Sequence, residues 1–250
     1  MATLRVHLEH LAAGERELPA EAAHYLVRVQ RLGPGARFVA FDPEAVVEAD
    51  AEITRVSREG AHCVLAEPRA ARAGGLGVIL AQAAGKGDKL EDVLRAATAL
   101  GVSALRVVIS ERSVARPGGE RATRLRAVAL AAARQSGRGD VPRVDAPVAL
   151  SALLVELEAA APALRLCLHP GAATPLAARL EAWLPGASCV LLVGPEGGFS
   201  GTELVAIESA GFELVALGPL TLRTELAGIA ALGAFAARLP GGADPGITAE

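Results

Sequence analysis

From Leu76 onward, short runs that are almost wholly apolar alternate with segments of helical spacing. The runs "LGVILAQAA", "ALRVVIS", "ALRLCLH", "SCVLLVG" and "FELVALG" offer no polar face to water, so both of their sides must be covered. Among them lie "DKLEDVLRAATALG", "ERATRLRAVALAAARQSGR", "SALLVELEAA", "TPLAARLEAW", "GTELVAIESAG" and "ELAGIAALGAFAARL", whose apolar residues repeat at helical intervals. Covered strands alternating with helices predict an α/β fold, a parallel sheet with helices on both faces. A domain over residues 76–240 is expected.

The first seventy residues follow a different rhythm. "LRVHL" alternates, "PAEAAHYLVRVQR" has helical spacing, and "GARFVAFD" returns to strand. "VVEADAEITRV" and "AHCVLAEP" look like a hairpin pair, and turns such as "LGPG" complete the pattern of a small β-barrel over 1–70. "EPRAARAGG" breaks periodicity and predicts a linker near Pro68–Gly75, while residues 241–250 predict a flexible tail.

Composition narrows the function. The 250 residues are 52% hydrophobic but only 3% aromatic, so the core rests on Ala, Leu and Val and few rings remain for stacking on bases. A net charge of −3 argues against a protein that coats nucleic acid, yet the average hides a basic stretch. Nine arginines lie between Arg106 and Arg143, against Glu111, Glu120 and Asp140, and such an excess can hold a phosphate backbone or simply face solvent. Cys63, Cys167 and Cys189 are far apart and without metal-ligand spacing, which predicts free buried thiols and no metal. "MATLRVHLEH" has no signal-peptide apolar core and no apolar run is long enough to span a membrane, so a soluble cytoplasmic protein with no membrane partner is expected.

The chemistry concentrates in "LLVGPEGGFS", where a buried strand ends in a loop whose one charged group is Glu196. Ligands of an open parallel sheet bind beyond the carboxyl ends of its strands, which is where this loop stands. A Walker loop requires Lys and then Ser or Thr after its last glycine, whereas Phe199 and Ser200 stand here; a dinucleotide fingerprint fails as well. A tight strand-to-helix turn and a pocket of backbone groups both remain. Ser200 and Glu203 have capping-box spacing, so a helix is predicted to start straight after the loop. A second loop of the same kind, "ALGPLTLRTELA", follows the next strand and places Arg223, Thr224 and Glu225 at a helix start. If the two strands are neighbours, their loops wall one cleft of cofactor size.

In these residues the chain resembles the RsmE family, the 16S rRNA (uracil-N3)-methyltransferases of the SPOUT superfamily. The resemblance extends to "KGDKLEDVLRAATALGV", "ISERSV" and "ARQSGR", and "HYLVRVQRLGPGARFVAFD" is similar to the family's PUA-like barrel. Departures stand at Ala96, Ala99, Ala131, Arg134 and Leu226. The resemblance implies a SPOUT-type sheet with a C-terminal trefoil knot, preceded by a small PUA-like RNA-binding β-barrel. It also implies a homodimer acting on 16S rRNA of the small ribosomal subunit, with S-adenosylmethionine as cofactor. The implied cofactor residues are His169, Val193, Gly194, Pro195, Glu196, Gly197, Gly198, Leu217, Gly218, Leu222 and Thr224.

Arg223 is the catalytic candidate: a cation beside a uracil carbonyl would stabilise the anion formed as N3 loses its proton. As a bare sequence feature it is also an ordinary helix-start charge. RNA contact is expected of His24, Arg28 and Arg31, placed on one helical face by i, i+4 and i+7 spacing, and of Arg112, Arg124, Gln135 and Arg138 in the basic stretch. Two other readings stay open: a non-catalytic RNA-binding or assembly factor that kept the fold, and a SPOUT enzyme acting on another RNA site.

Overall fold

The computed structural model describes residues 4–85, 89–113 and 120–240; the tail at 241–250 and Arg116 of the basic stretch lie outside the described residues. The chain forms two compact units, Met1–Gly74 with Ala129–Val141, and Gly75–Val128 with Pro142–Glu250. A segment expected wholly within the second domain thus belongs in part to the first unit.

In the first unit the strands are β1 (Arg5–His7), β2 (Gly14–Glu17), β3 (Arg37–Asp42), β4 (Val47–Val56), β5 (Ala61–Leu65) and β6 (Arg69–Ala70). They pair in the order β1-β3-β4-β5-β2, with β1 parallel to β3, the other pairs antiparallel, and β6 alongside β4. The predicted hairpin is β4–β5. Ser57 shapes its turn by accepting the Gly60 N–H at its hydroxyl (3.3 Å). β2 has the sequence GERE, which carries no strand signal; it is a mostly exposed edge strand, where charge blunts further pairing. Inward residues Leu8, Leu26, Phe38, Ile53 and Cys63 form the core.

Two expectations are corrected here. Helix α1 (Ala20–Ala23) runs into a π-helical segment, His24–Val29. The Gln30 N–H donates to the Tyr25 carbonyl (2.9 Å), an i→i+5 bond, and Arg31 lies beyond the segment with φ 58°. The i, i+4, i+7 face therefore does not exist, although His24, Arg28 and Arg31 are all exposed. Nor is Pro68–Gly75 a free linker. Arg69 in β6 pairs with Glu48 (3.0 Å) and Asp50 (3.0 Å), which fastens the segment to β4.

Residues 129–141 are tied to the N-terminal residues by specific bonds. Arg138 is buried and grips both oxygens of Asp140 at 2.7 Å, while Asp140 accepts the Gly74 N–H (2.8 Å) and the Gly139 N–H donates to the Arg72 carbonyl (2.7 Å). Burial raises the Asp140 carboxyl, but the Arg138 hydrogen bonds and charge outweigh it and leave the carboxyl below its ordinary value.

The second unit holds β7 (Val78–Ala83), α2 (Lys89–Ala99), β8 (Ala104–Ile109) and α3 (Glu120–Ser136), whose last turns belong to the first unit. There follow β9 (Arg143–Val144), β10 (Val148–Ala149), α4 (Leu150–Ala160), β11 (Leu164–Leu168), β12 (Thr174–Pro175) and α5 (Leu176–Ala182). The unit closes with β13 (Cys189–Val193), α6 (Gly201–Ser209), β14 (Glu213–Ala216) and α7 (Thr224–Ala236). All eight strands pair in parallel, in the order β10-β8-β7-β13-β11-β14-β12 with β9 beside β8, which is the α/β architecture the alternation demands. β13 is buried at every position. Gly228 lets α7 approach the sheet, because a Cβ there would lie 2.8 Å from the buried Gln82 Oε1 of β7.

The two strands that end in Gly-Pro are not neighbours: β11 stands between β13 and β14. All three cysteines are free and buried, and burial pushes the Cys167 and Cys189 thiols up to about 12. Among the described residues no helix is long and apolar enough to cross a membrane.

Candidate cofactor site

Sheet register builds the floor of the site. Val193 at the end of β13 pairs with Leu168 of β11, and Leu168 pairs in turn with Val215 of β14. These three apolar residues form one row across the carboxyl edge of the sheet. Three loops rise from that edge, and they enclose a cavity of about 420 Å³, within the roughly 300–1,000 Å³ usual for a small-molecule site.

The first loop is Gly194–Phe199. The Gly198 N–H closes a turn on the Pro195 carbonyl (2.9 Å), and Gly198 takes φ +67°, a conformation that glycine adopts without steric cost. A Cβ on Gly194 would stand 3.0 Å from the Phe199 ring, so this glycine permits the ring to pack under the loop. Gly197 needs no such freedom: its φ is not in the left-handed region, and a Cβ would be in ordinary contact with Arg112 at 3.5 Å. Ser200 then caps α6 with the predicted capping box, its N–H donating to Glu203 Oε2 (2.9 Å) and its hydroxyl accepting the Glu203 N–H (3.3 Å).

The second loop runs from Leu217 to Arg223 and ends where α7 begins. Thr224 donates from Oγ1 to the Gly194 carbonyl (3.1 Å), so the two loops are joined across the end of β11. The third contribution is that strand end itself. His169 bonds through its N–H to the Val215 carbonyl (2.9 Å), and its Nδ1 accepts the Gly171 N–H (3.1 Å). Every residue expected to meet the cofactor lines this cavity: His169, Val193, Gly194, Pro195, Glu196, Gly197, Gly198, Leu217, Gly218, Leu222 and Thr224. The walls also include Phe199, Thr221 and Ala227, which sequence reasoning missed; the available signal for Phe199 was an aromatic residue closing the glycine loop itself.

Arg112, expected at RNA, stands at the cavity and donates from Nη1 to the Gly197 carbonyl (2.9 Å). Its loop is held a second time, because the Glu111 N–H donates to Glu203 Oε1 (2.7 Å). One carboxylate therefore caps α6 and anchors the chain after β8. Arg223 is exposed at the N-cap of α7, outside the lining but between Leu222 and Thr224, which are both in it.

Glu196 faces Lys89 rather than open solvent alone. Lys89 Nζ lies 3.5 Å from Glu196 Oε1 and 3.0 Å from Glu225 Oε1. The Glu225 carboxyl is held below its ordinary value by its own backbone N–H and by Lys89, and Lys89 is raised in return, chiefly by Glu225.

The other RNA candidates are not among the residues that line the cavity. His24, Arg28, Arg31 and Gln135 are exposed in the first unit, where the Arg134 guanidinium stacks on Tyr25 at 4.2 Å. Arg124 pairs with Glu91 (2.6 Å) and Arg138 is buried on Asp140, so the basic stretch is not one continuous free surface. Among the described residues no group of His, Cys, Asp and Glu is placed to hold a metal ion.

Comparison with known proteins matches residues 74–236 to the RNA methyltransferase domain and residues 18–66 to the RNA methyltransferase PUA domain. A ribosomal RNA small subunit methyltransferase E from Synechocystis is 31% identical over 209 residues, 84% of this chain and 68% of that protein. The chain belongs to this methyltransferase family. Its relative of the same name from Mycobacterium bovis is 40% identical over 163 residues, and the match spans 63% of this chain and 62% of that relative. The crystal structure of the Neisseria gonorrhoeae family member bound to S-adenosyl methionine superposes with a TM-score of 0.82 at 29% identity, covering 93% of this chain and 96% of that one.

The cavity fits such a cofactor on its own chemistry. Leu168, Val193 and Val215 offer an apolar face to an adenine ring, and Arg112, His169, Glu196, Thr221 and Thr224 in the same lining offer polar groups to the rest of the molecule.

Proposed function

We propose that this chain transfers a methyl group from S-adenosylmethionine to N3 of a uridine in 16S rRNA of the small ribosomal subunit. The observation that carries the reading is the convergence of both glycine loops and the β11 end on one cavity of cofactor size. Family membership supports the substrate class, and the resemblance in the loop residues supports the atom methylated.

When bound, S-adenosylmethionine supplies a methyl group on a sulfonium sulfur. The apolar row Leu168, Val193 and Val215 would exclude water from one wall of the site, and Gly194, Gly197 and Gly198 would leave the first loop's backbone groups open to the bound cofactor. Methyl transfer needs in-line approach above all, so the first task of the loops is to position the reacting groups. Arg223, exposed beside the cavity, stabilises negative charge on the uracil carbonyls as N3 loses its proton. His24, Arg28, Arg31 and Gln135 in the PUA-like unit, with Arg112 and Arg124 in the methyltransferase unit, hold the RNA; Arg138 is left out of this set because it is buried on Asp140.

The proposal includes a trefoil knot at the carboxyl end of the sheet. In its support, the chain leaves β14, crosses the end of β11 to bond at Gly194, and packs α7 on β7 and β13. It also includes a homodimer in the cytoplasm, for which the exposed Leu220 and Leu226, at the second loop and on α7, offer apolar surface. The test is mass spectrometry of rRNA nucleosides from cells with and without the protein. 3-Methyluridine in small-subunit rRNA should disappear with the protein, and its persistence would remove the reading.

A further inference from the structure

Lys89 opens α2, where the helix N-terminus disfavours a cation and where Glu91 and Asp92 already satisfy the first turn. A lysine in that position needs another reason. It has one in the two carboxylates that face it, one in the first glycine loop and one at the start of α7. Glu196 belongs to the first glycine loop and lines the cavity; Glu225 stands in the first turn of α7, next to Thr224 at the end of the second loop. A single ammonium, 3.5 Å from one and 3.0 Å from the other, holds both.

Resting on the cofactor reading above, we propose that Lys89 is a positioning residue: by holding Glu196 and Glu225 together it sets the separation of the two glycine loops around S-adenosylmethionine. Without the ammonium two like charges face each other across the loops, and the loops spread. Arg223 is the other described charge that acts on Glu225, and it stands on the solvent side, where it does not replace the bridge to Glu196. The Thr224 bond to Gly194 joins the same two loops but leaves the two carboxylates uncompensated, so the ammonium adds to it rather than duplicating it. Cofactor affinity falls by the fraction of molecules whose loops are correctly spaced, with little change in the stability of the fold.

The experiment is calorimetric titration of the full chain with S-adenosylmethionine, alongside thermal unfolding of each variant. Lys89→Met should weaken binding about fivefold or more, the effect of cutting the correctly spaced fraction to about one fifth. Its unfolding midpoint should stay within about 2 °C of the parent, as expected for an exposed ion pair. Lys89→Arg should bind within about twofold of the parent, since it keeps the charge. Lys89→Met with Glu225→Gln should recover most of the loss, because one of the two facing charges is gone. Parental affinity in Lys89→Met would overturn the proposal, as would a double variant no better than the single one. A parental protein that binds no S-adenosylmethionine overturns the cofactor reading itself, and the positioning role of Lys89 with it.

Discussion

Thr224 Oγ1 lies 3.1 Å from the carbonyl oxygen of Gly194 and donates to it, joining two loops whose parent strands are separated by β11. The bond spans the cavity edge, so its loss should be felt by the ligand more than by the fold. Thr224→Val keeps the shape and removes the donor. A net hydrogen bond of about 0.5–1.5 kcal/mol corresponds to a two- to twelvefold weaker Kd for S-adenosylmethionine, measured by calorimetry. An unchanged Kd would mean that the two loops hold their places independently.

The arrangement of these loops was legible in the sequence only in part. Their composition announced a site beyond the strand ends, and the Ser200–Glu203 spacing announced α6, because both signals are local. Strand order is not local. β11 enters between β13 and β14 through crossovers that leave no mark on the strands, so whether the two Gly-Pro strands are neighbours could not be read, and the shared cleft forms without their adjacency, through Thr224. The same division appears elsewhere. The exposure of Arg28 was readable from charge, but its π-helical setting depends on an i→i+5 pattern that apolar spacing does not encode. Arg138 closes a basic helix in the sequence, yet Asp140, two residues away, takes two of its donors and the side chain is buried.

That Arg138–Asp140 pair predicts a pH-dependent stability. Asp140 has a lowered folded-state value, so its contribution is present above the unfolded carboxylate value and is lost as pH falls through the folded one. Asp140→Asn should therefore destabilise the protein at pH 7, with the gap from the parent narrowing below about pH 4 and closing at lower pH. Denaturant melts across that range supply the comparison. A gap independent of pH would assign the loss to packing rather than charge.

RNA binding should draw on exposed cations of the first unit. Arg28→Ala with Arg31→Ala should weaken binding to a small-subunit RNA fragment and flatten its salt dependence, by about 0.7–0.9 in log–log slope for each phosphate that is no longer neutralised. Arg138→Ala should instead lower the melting temperature first. If the double variant keeps the parental slope, those arginines only face solvent.

Arg223 separates the roles of charge and binding. Arg223→Ala should reduce the single-turnover methylation rate about a hundredfold or more while cofactor and RNA affinities change far less, since the stabilised charge develops only in the transition state. Arg223→Lys should restore part of the rate, supplying charge without the planar fork. A parental rate in Arg223→Ala would leave this residue as a helix-start charge.

The central claim is that the cofactor held in this cavity gives its methyl group to uridine N3. Its most direct test is incubation of the purified protein with unmethylated small ribosomal subunits and S-adenosylmethionine bearing a trideuterated methyl group, followed by nucleoside mass spectrometry. The account predicts trideuterated 3-methyluridine from the parental protein and a strongly reduced yield from Thr224→Val at limiting cofactor. Label on another atom or another nucleoside, or no label at all, would contradict it.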